Sequence, residues 1–223
     1  MRHFCFLLSL IVTVCFGLPV HAATIFQDVP FTAQAPFGQW NDPRQENACE
    51  EASALMAVRW ATGQSFSSKS EALQAILSLA AFEQQHYGSY LDTSAADTVE
   101  RIFKSYFHYK NVEVKQGIGN SDIIAALADG AIVIVPMNGR KLHNPFYTQP
   151  GPEHHMLLVR GYDAIKKEFI TNDPGTRRGQ GFRYPAAVLE AAIRDYPTSN
   201  VVPAPSSSKN VMIVVRTVGA KHR

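Results

Sequence analysis

The spacing of apolar positions changes about halfway along the chain, and that change sets the expected architecture. Ile25, Phe26, Val29 and Phe31 alternate well enough to predict a strand over 24–31. The stretch 33–45 contains Pro36, Gly38 and Pro43 and reads as irregular. From Cys49 to Thr62 the apolar residues Ala52, Leu55, Met56, Val58 and Trp60 predict a helix that Gly63 ends. Asn47, with Glu50 three residues on, resembles a capping box. This helix is apolar over most of its surface and is expected to be central and buried. A second helix starts after Ser67 or Ser70, buries Leu73, Ile76, Leu77, Ala80 and Phe82, runs to about Gln85 and closes at Gly88. A third spans Ser94 to Phe107, with Val99, Ile102, Phe103 and Tyr106.

Strands dominate the second half. One is expected over 111–115, followed by a short helix from a Ser121 cap to Ala128, which Gly130 stops. The continuous apolar run 131–136 suits a central strand. Residues 138–153 are rich in Gly, Pro and Asn and form a loop. Residues 155–160 and 168–171 read as a hairpin turning near Tyr162-Asp163. A short helix over 186–194, a Pro/Ser-rich loop over 197–208 and a closing strand over 211–215 complete the chain. There is no internal repeat. Helices first and strands second give an α+β arrangement.

The amino terminus stands apart from this pattern. Arg2 and His3 precede an apolar run from Phe4 to Leu18, and Pro19 breaks it. That run has the length of a signal-peptide core and falls short of the roughly 20 residues that span a bilayer. Residues 1–22 are therefore read as a signal peptide, with cleavage after Ala22, and 23–223 as one domain. The expected location is secreted or periplasmic, with no stable membrane insertion after cleavage. Removing Arg2 leaves one basic residue more than acidic ones. Such a balance gives no long-range attraction to nucleic acid.

The cysteines sharpen the picture. The chain has three, and Cys5 and Cys15 leave with the signal peptide. Exported proteins usually pair their cysteines, so a lone Cys49 is either inert and buried or has a task. It sits at a predicted helix start, where the helix dipole favours a thiolate. Glu50 and Glu51 oppose that effect, so activation requires a histidine. Six histidines remain: His86, His108, His143, His154, His155 and His222. The pair His154-His155 opens the apolar run 156–159, at the rim of a strand. Asp173 or Asn172, one strand over, could orient an imidazole. Gln45, four residues before Cys49, could offer its amide to an oxyanion. No cofactor is implied. A metal site from Cys49, His155 and Asp173 is a weaker reading, because close-spaced ligand pairs are lacking.

The order Gln, Cys, His, Asp resembles the papain-like peptidases related to the bacteriocin-leader-processing enzymes, the peptidase C-39-like group. The stretches that carry the resemblance are 29–40, 45–53, 151–163 and 169–176, nearly the whole mature chain. The resemblance implies a papain-like fold with Cys49 as nucleophile, His155 as base and acid, Asp173 as the orienting acid and Gln45 as oxyanion donor. It also implies a peptide or protein substrate. The chain has Glu50 where the leader-processing enzymes have Gly after the cysteine, and their glutamine lies further upstream than Gln45. No phosphate-binding Gly-Lys-Ser/Thr motif occurs. The leading expectation is a Cys-His-Asp hydrolase working through an acyl-enzyme. An acyl transferase or cell-wall amidase on the same residues, and a non-catalytic peptide-binding module, are the alternatives.

Overall fold

The computed structural model describes residues 24–200 and 210–219. The expected signal peptide, its cleavage point and His222 lie outside them. A seven-stranded antiparallel sheet forms the centre. Its strands are β1 (Ile25–Phe26), β2 (Val112–Gln116), β3 (Ile132–Met137), β4 (His155–Asp163), β5 (Glu168–Asn172), β6 (Gln180–Pro185) and β7 (Val211–Val215). They run in the order β2-β7-β3-β4-β5-β6, with β1 paired to β4. The helices are α1 (Pro43–Glu46), α2 (Cys49–Ala61), α3 (Lys69–Tyr87), α4 (Ala95–Asp97), α5 (Asn120–Ala128) and α6 (Ala186–Ala192).

Alternation along the strands builds two cores, one on each face of the sheet. Ile132, Ile134, Met156, Leu158 and Ile213 face a layer that includes α2, α3 and the segment after α4. Val133, Val135, Leu157, Val159 and Val214 face a layer that includes α5 and α6. All of α2 is buried except Arg59 and Trp60. Leu55 and Met56 alone each contribute about 1.5–3 kcal/mol by burial. The Ser53 hydroxyl donates to the Met156 carbonyl at 3.2 Å and ties α2 to β4. Gly161 of β4 lets β1 approach: a Cβ there would lie 2.5 Å from the Ile25 carbonyl oxygen.

Several elements depart from the sequence reading. The first strand shrinks to two residues. Pro43–Glu46 is a helical turn capped by Asp42, inside the stretch read as irregular. The Asn47–Glu50 capping box does not form, because Asn47 donates to the Pro43 carbonyl and Ala48 holds the cap position. Ser68, between the two serines considered, caps α3, and Gly88 closes it at φ 78°. The third helix is α only at its start and continues as a π-helix over Thr98–Tyr106. Gly119, not Ser121, precedes α5, with the Asp122 carboxylate accepting from its N–H. The hairpin β4–β5 forms, but β4 runs on to Asp163 through a bulge between Val159 and Gly161, so the turn falls later. Strand β6 was not anticipated. Among the described residues no helix is long and apolar enough to cross a membrane.

Candidate active site

Cys49 opens α2, His155 opens β4, and Asp173 follows β5 directly. The antiparallel register of β4 with β5 brings the last two together. The His155 Nε2 hydrogen bonds to Asp173 Oδ1 at 2.9 Å, with the ring 2% exposed and the carboxylate fully enclosed. Nδ1 is the ring nitrogen that Asp173 does not engage. Gly175 keeps space beside the imidazole: a Cβ there would sit 2.9 Å from His155 Cε1.

Asp173 is held from every side. Its Oδ2 accepts from the Tyr147 and Tyr184 hydroxyls at 2.6 Å each and from the Asn144 amide at 3.2 Å. The Gly175 N–H donates to Oδ1 at 3.0 Å. Burial alone would push the carboxyl up. The charge of His155 and the hydrogen bonds from His155, Tyr147 and Tyr184 outweigh it and keep Asp173 below the usual carboxylate range. Burial, first, and the Asp173 charge push both tyrosines above their ordinary values, so they remain donors.

Cys49 and His155 line one open cleft of about 800 Å³. Its other walls include Gln34, Trp40, Asp92, the loop at Phe146–Thr148, His154 and the turn Gly175–Arg178. Trp40 and Phe146 expose apolar faces there, and the Arg178 guanidinium lies 4.8 Å over the Phe146 ring. Asn172, the alternative to Asp173, does not face His155. Its amide donates to the Val29 carbonyl, and its oxygen accepts from Arg160 and from the Gly181 N–H.

Gln45 corrects the sequence reading. It is the buried residue of α1, its amide directed at Asp42 Oδ2 (3.2 Å) and Gln39 Oε1 (3.4 Å), and it does not line the cleft. Being close to Cys49 in sequence misled, because α1 turns the side chain inward. The glutamine at the cleft is Gln34. Its N–H is bound to the Pro174 carbonyl at 3.0 Å, beside the Asp173 turn. Its side-chain amide donates to the carbonyls of Gln45 (3.0 Å) and Glu46 (2.6 Å), the turn leading into Cys49. Gln34 lies within 29–40, one of the stretches that carry the resemblance, and that was the signal available for it.

The thiol also departs from expectation. The helix dipole and an imidazolium were expected to lower its pKa. Burial, then the charge of Glu50 and its hydrogen bond with the thiol, then Asp92 and Glu51, push Cys49 well above the ordinary value. Cys49 is 6% exposed, and its Sγ donates to Glu50 Oε2 at 3.0 Å. No group of three or more His, Cys, Asp or Glu among the described residues is arranged to hold a metal.

Comparison with known proteins agrees with this architecture. One similar solved structure is a Bacillus anthracis protein described provisionally as a C39-like peptidase. It is 14% identical, with a TM-score of 0.54, and the match covers 87% of this chain and 98% of that one. At that identity the likeness speaks for the fold, which is α+β and papain-like. No curated protein matches the sequence. The profile of the Peptidase_C39 like family matches residues 26–199, most of the chain. The chain therefore belongs to the Peptidase_C39 like family.

Proposed function

We propose that the protein is an exported cysteine hydrolase that cleaves a peptide or amide bond through Cys49, His155 and Asp173. The observation that carries this reading is the buried His155–Asp173 pair in the same cleft as the single free cysteine among the described residues. Asp173 fixes the ring with Nε2 protonated, so Nδ1 is the nitrogen that takes the thiol proton and later returns it to the leaving amine. The sulfur attacks the carbonyl, the amine departs, and water releases the acyl group. The first-turn N–H groups of α2 lack intrahelical partners and supply one donor for the oxyanion. The Gln34 amide, held at rest by the carbonyls of Gln45 and Glu46, supplies a second by exchanging one of those bonds for the oxyanion. The open cleft, with apolar faces at Trp40 and Phe146, suits an extended peptide.

Labelled casein and a proteome-derived peptide library serve as probes, with wild type and Cys49→Ala compared. Hydrolysis is expected from the wild type alone, with the variant folded as well as the parent. Hydrolysis by Cys49→Ala sinks the reading. Adding hydroxylamine tests the alternative, an acyl transferase: hydroxamate formed in preference to acid favours it. Sequencing the amino terminus of the exported chain tests cleavage after Ala22.

A further inference from the structure

We propose that Glu50 is a positioning residue for the nucleophile: its carboxylate binds the Cys49 thiol, holds the sulfur in place and, while charged, disfavours its ionisation. The inference rests on the cysteine-hydrolase reading and adds a resting state to it. Glu50 is 1% exposed, and both of its oxygens are used. Oε2 accepts from Cys49 Sγ at 3.0 Å, and Oε1 accepts from the Tyr196 hydroxyl at 2.6 Å. Tyr196 is itself fixed, since its ring stacks on His154 with centroids 4.7 Å apart and planes 14° apart. His154 is held through Nδ1 by Asp92 Oδ2 at 3.1 Å. The carboxylate cannot turn away without losing two hydrogen bonds in a dry site, where each unpaired polar group is costly.

The surroundings explain why this charge matters. On α2 itself Glu50 adjoins Cys49 and Glu51. From the loop before α4 the charge of Asp92 acts on it, and from α3 it acts on Glu83. Arg101 and Asp97, from the segment packed behind, act on Glu83 with opposite signs. Glu51 and Glu83 are buried with no hydrogen-bond donor to their carboxyl oxygens among the described residues, and burial, first, then the charge of neighbouring carboxylates raises both above the ordinary range. Burial, first, raises Glu50 above the ordinary carboxylate range, and the Tyr196 hydrogen bond partly opposes this. Glu50 is still a far weaker base than the Cys49 thiolate, so it binds the thiol proton without removing it. A charged Glu50 repels a thiolate and so raises the pH at which Cys49 ionises; a neutral side chain in its place removes that repulsion and can donate to sulfur.

The test is iodoacetamide alkylation of Cys49 against pH, which needs no substrate. It uses the mature wild-type chain, Glu50→Gln and Tyr196→Phe, with thermal unfolding to check the fold. Glu50→Gln keeps the shape and removes the charge. It is expected to react at least about tenfold faster at pH 7, with the midpoint of the profile about one unit lower or more. Tyr196→Phe removes a donor that favours the charged form, so a neutral Glu50 that can donate to a thiolate is easier to reach and alkylation at pH 7 should rise about threefold. A Glu50→Gln profile at or below wild type, or one faster by a constant factor with no change of midpoint, overturns the proposal. If Glu50→Gln does not fold, Tyr196→Phe decides alone, and an unchanged rate at pH 7 overturns it. Failure here leaves Cys49-dependent hydrolysis standing, whereas failure of the hydrolase reading appears as activity in Cys49→Ala.

Discussion

Two histidines stand side by side at the start of β4, each bonded to an aspartate, yet their surroundings differ in almost every respect. His155 points to the face of Leu157 and Val159, where Asp173 is enclosed by two tyrosines, an asparagine and a backbone N–H. His154 points to the face of Met156 and Leu158, and its partner Asp92 is 15% exposed in the cleft wall. One pair is buried and fully satisfied, so its ring has one tautomer and one orientation. The other is partly wet and leans on Tyr196, which reaches Glu50. A His–Asp pair therefore does not define a role. The number of groups that fix the aspartate, and what the ring touches next, define it.

The comparison breaks first at the larger effect. His155→Ala is expected to lower kcat/KM for Cys49-dependent hydrolysis by about 10³-fold or more, within the range for losing a general acid–base. If His154→Ala were the damaging change and His155→Ala mild, the roles of the two rings would be exchanged. Next comes the oxyanion. Gln34→Ala should lower kcat about 10²-fold, at the lower end of the cost of one donor. Gln45→Ala should leave kcat within a few fold, because its side chain does not line the cleft. Steady-state kinetics on the two variants separate the glutamines.

A milder change probes what makes the His155 pair rigid. Asp173→Asn keeps an oxygen for His155 but replaces an acceptor by an amide facing three donors, from Tyr147, Tyr184 and Asn144. The expected outcome is about a tenfold fall in kcat and a loss of roughly 1–3 kcal/mol in urea unfolding. Unchanged stability would mean that those donors do not depend on the charge.

Much of this was legible along the chain, and what was not has identifiable causes. The helix from Cys49, the runs of β3, β4 and β7, and Gly88 as a helix stop are local patterns, and they appear in the fold. The pairing of His155 with Asp173 followed from a hairpin, which is also local. Strand β6 was missed because Gly181 and Arg183 interrupt any apolar alternation in its six residues. The π-helix was missed because its wider turns still keep Val99, Ile102 and Phe103 on a buried side. Gln34 was missed because its place depends on a contact with Pro174, 140 positions away, which no spacing rule carries. Glu50 was read as a charge opposing thiolate formation. The contact with Tyr196 that turns it into a fixed partner is again long-range.

The smallest expected effect bears on what His154 does. Its pKa is raised, chiefly by the hydrogen bond to Asp92, and partial burial works against this. Below the raised value the ring is an imidazolium that offsets Asp92, whose charge also acts on the Cys49 thiol. His154→Ala leaves that charge uncompensated and removes the ring behind Tyr196. Alkylation of Cys49 should therefore slow by about twofold to threefold at pH 6, where one small charge offset in a partly wet site is lost. Above the raised His154 pKa the wild-type ring is neutral, so the two profiles should converge there. Asp92→Asn removes the charge itself and should act in the opposite sense, speeding alkylation across the range. Rates measured from pH 5.5 to 9 for the three chains decide the matter. A His154→Ala deficit that persists unchanged to pH 9 would show the ring acting only by packing on Tyr196. A deficit as large as that of His155→Ala would erase the distinction between the two histidines altogether.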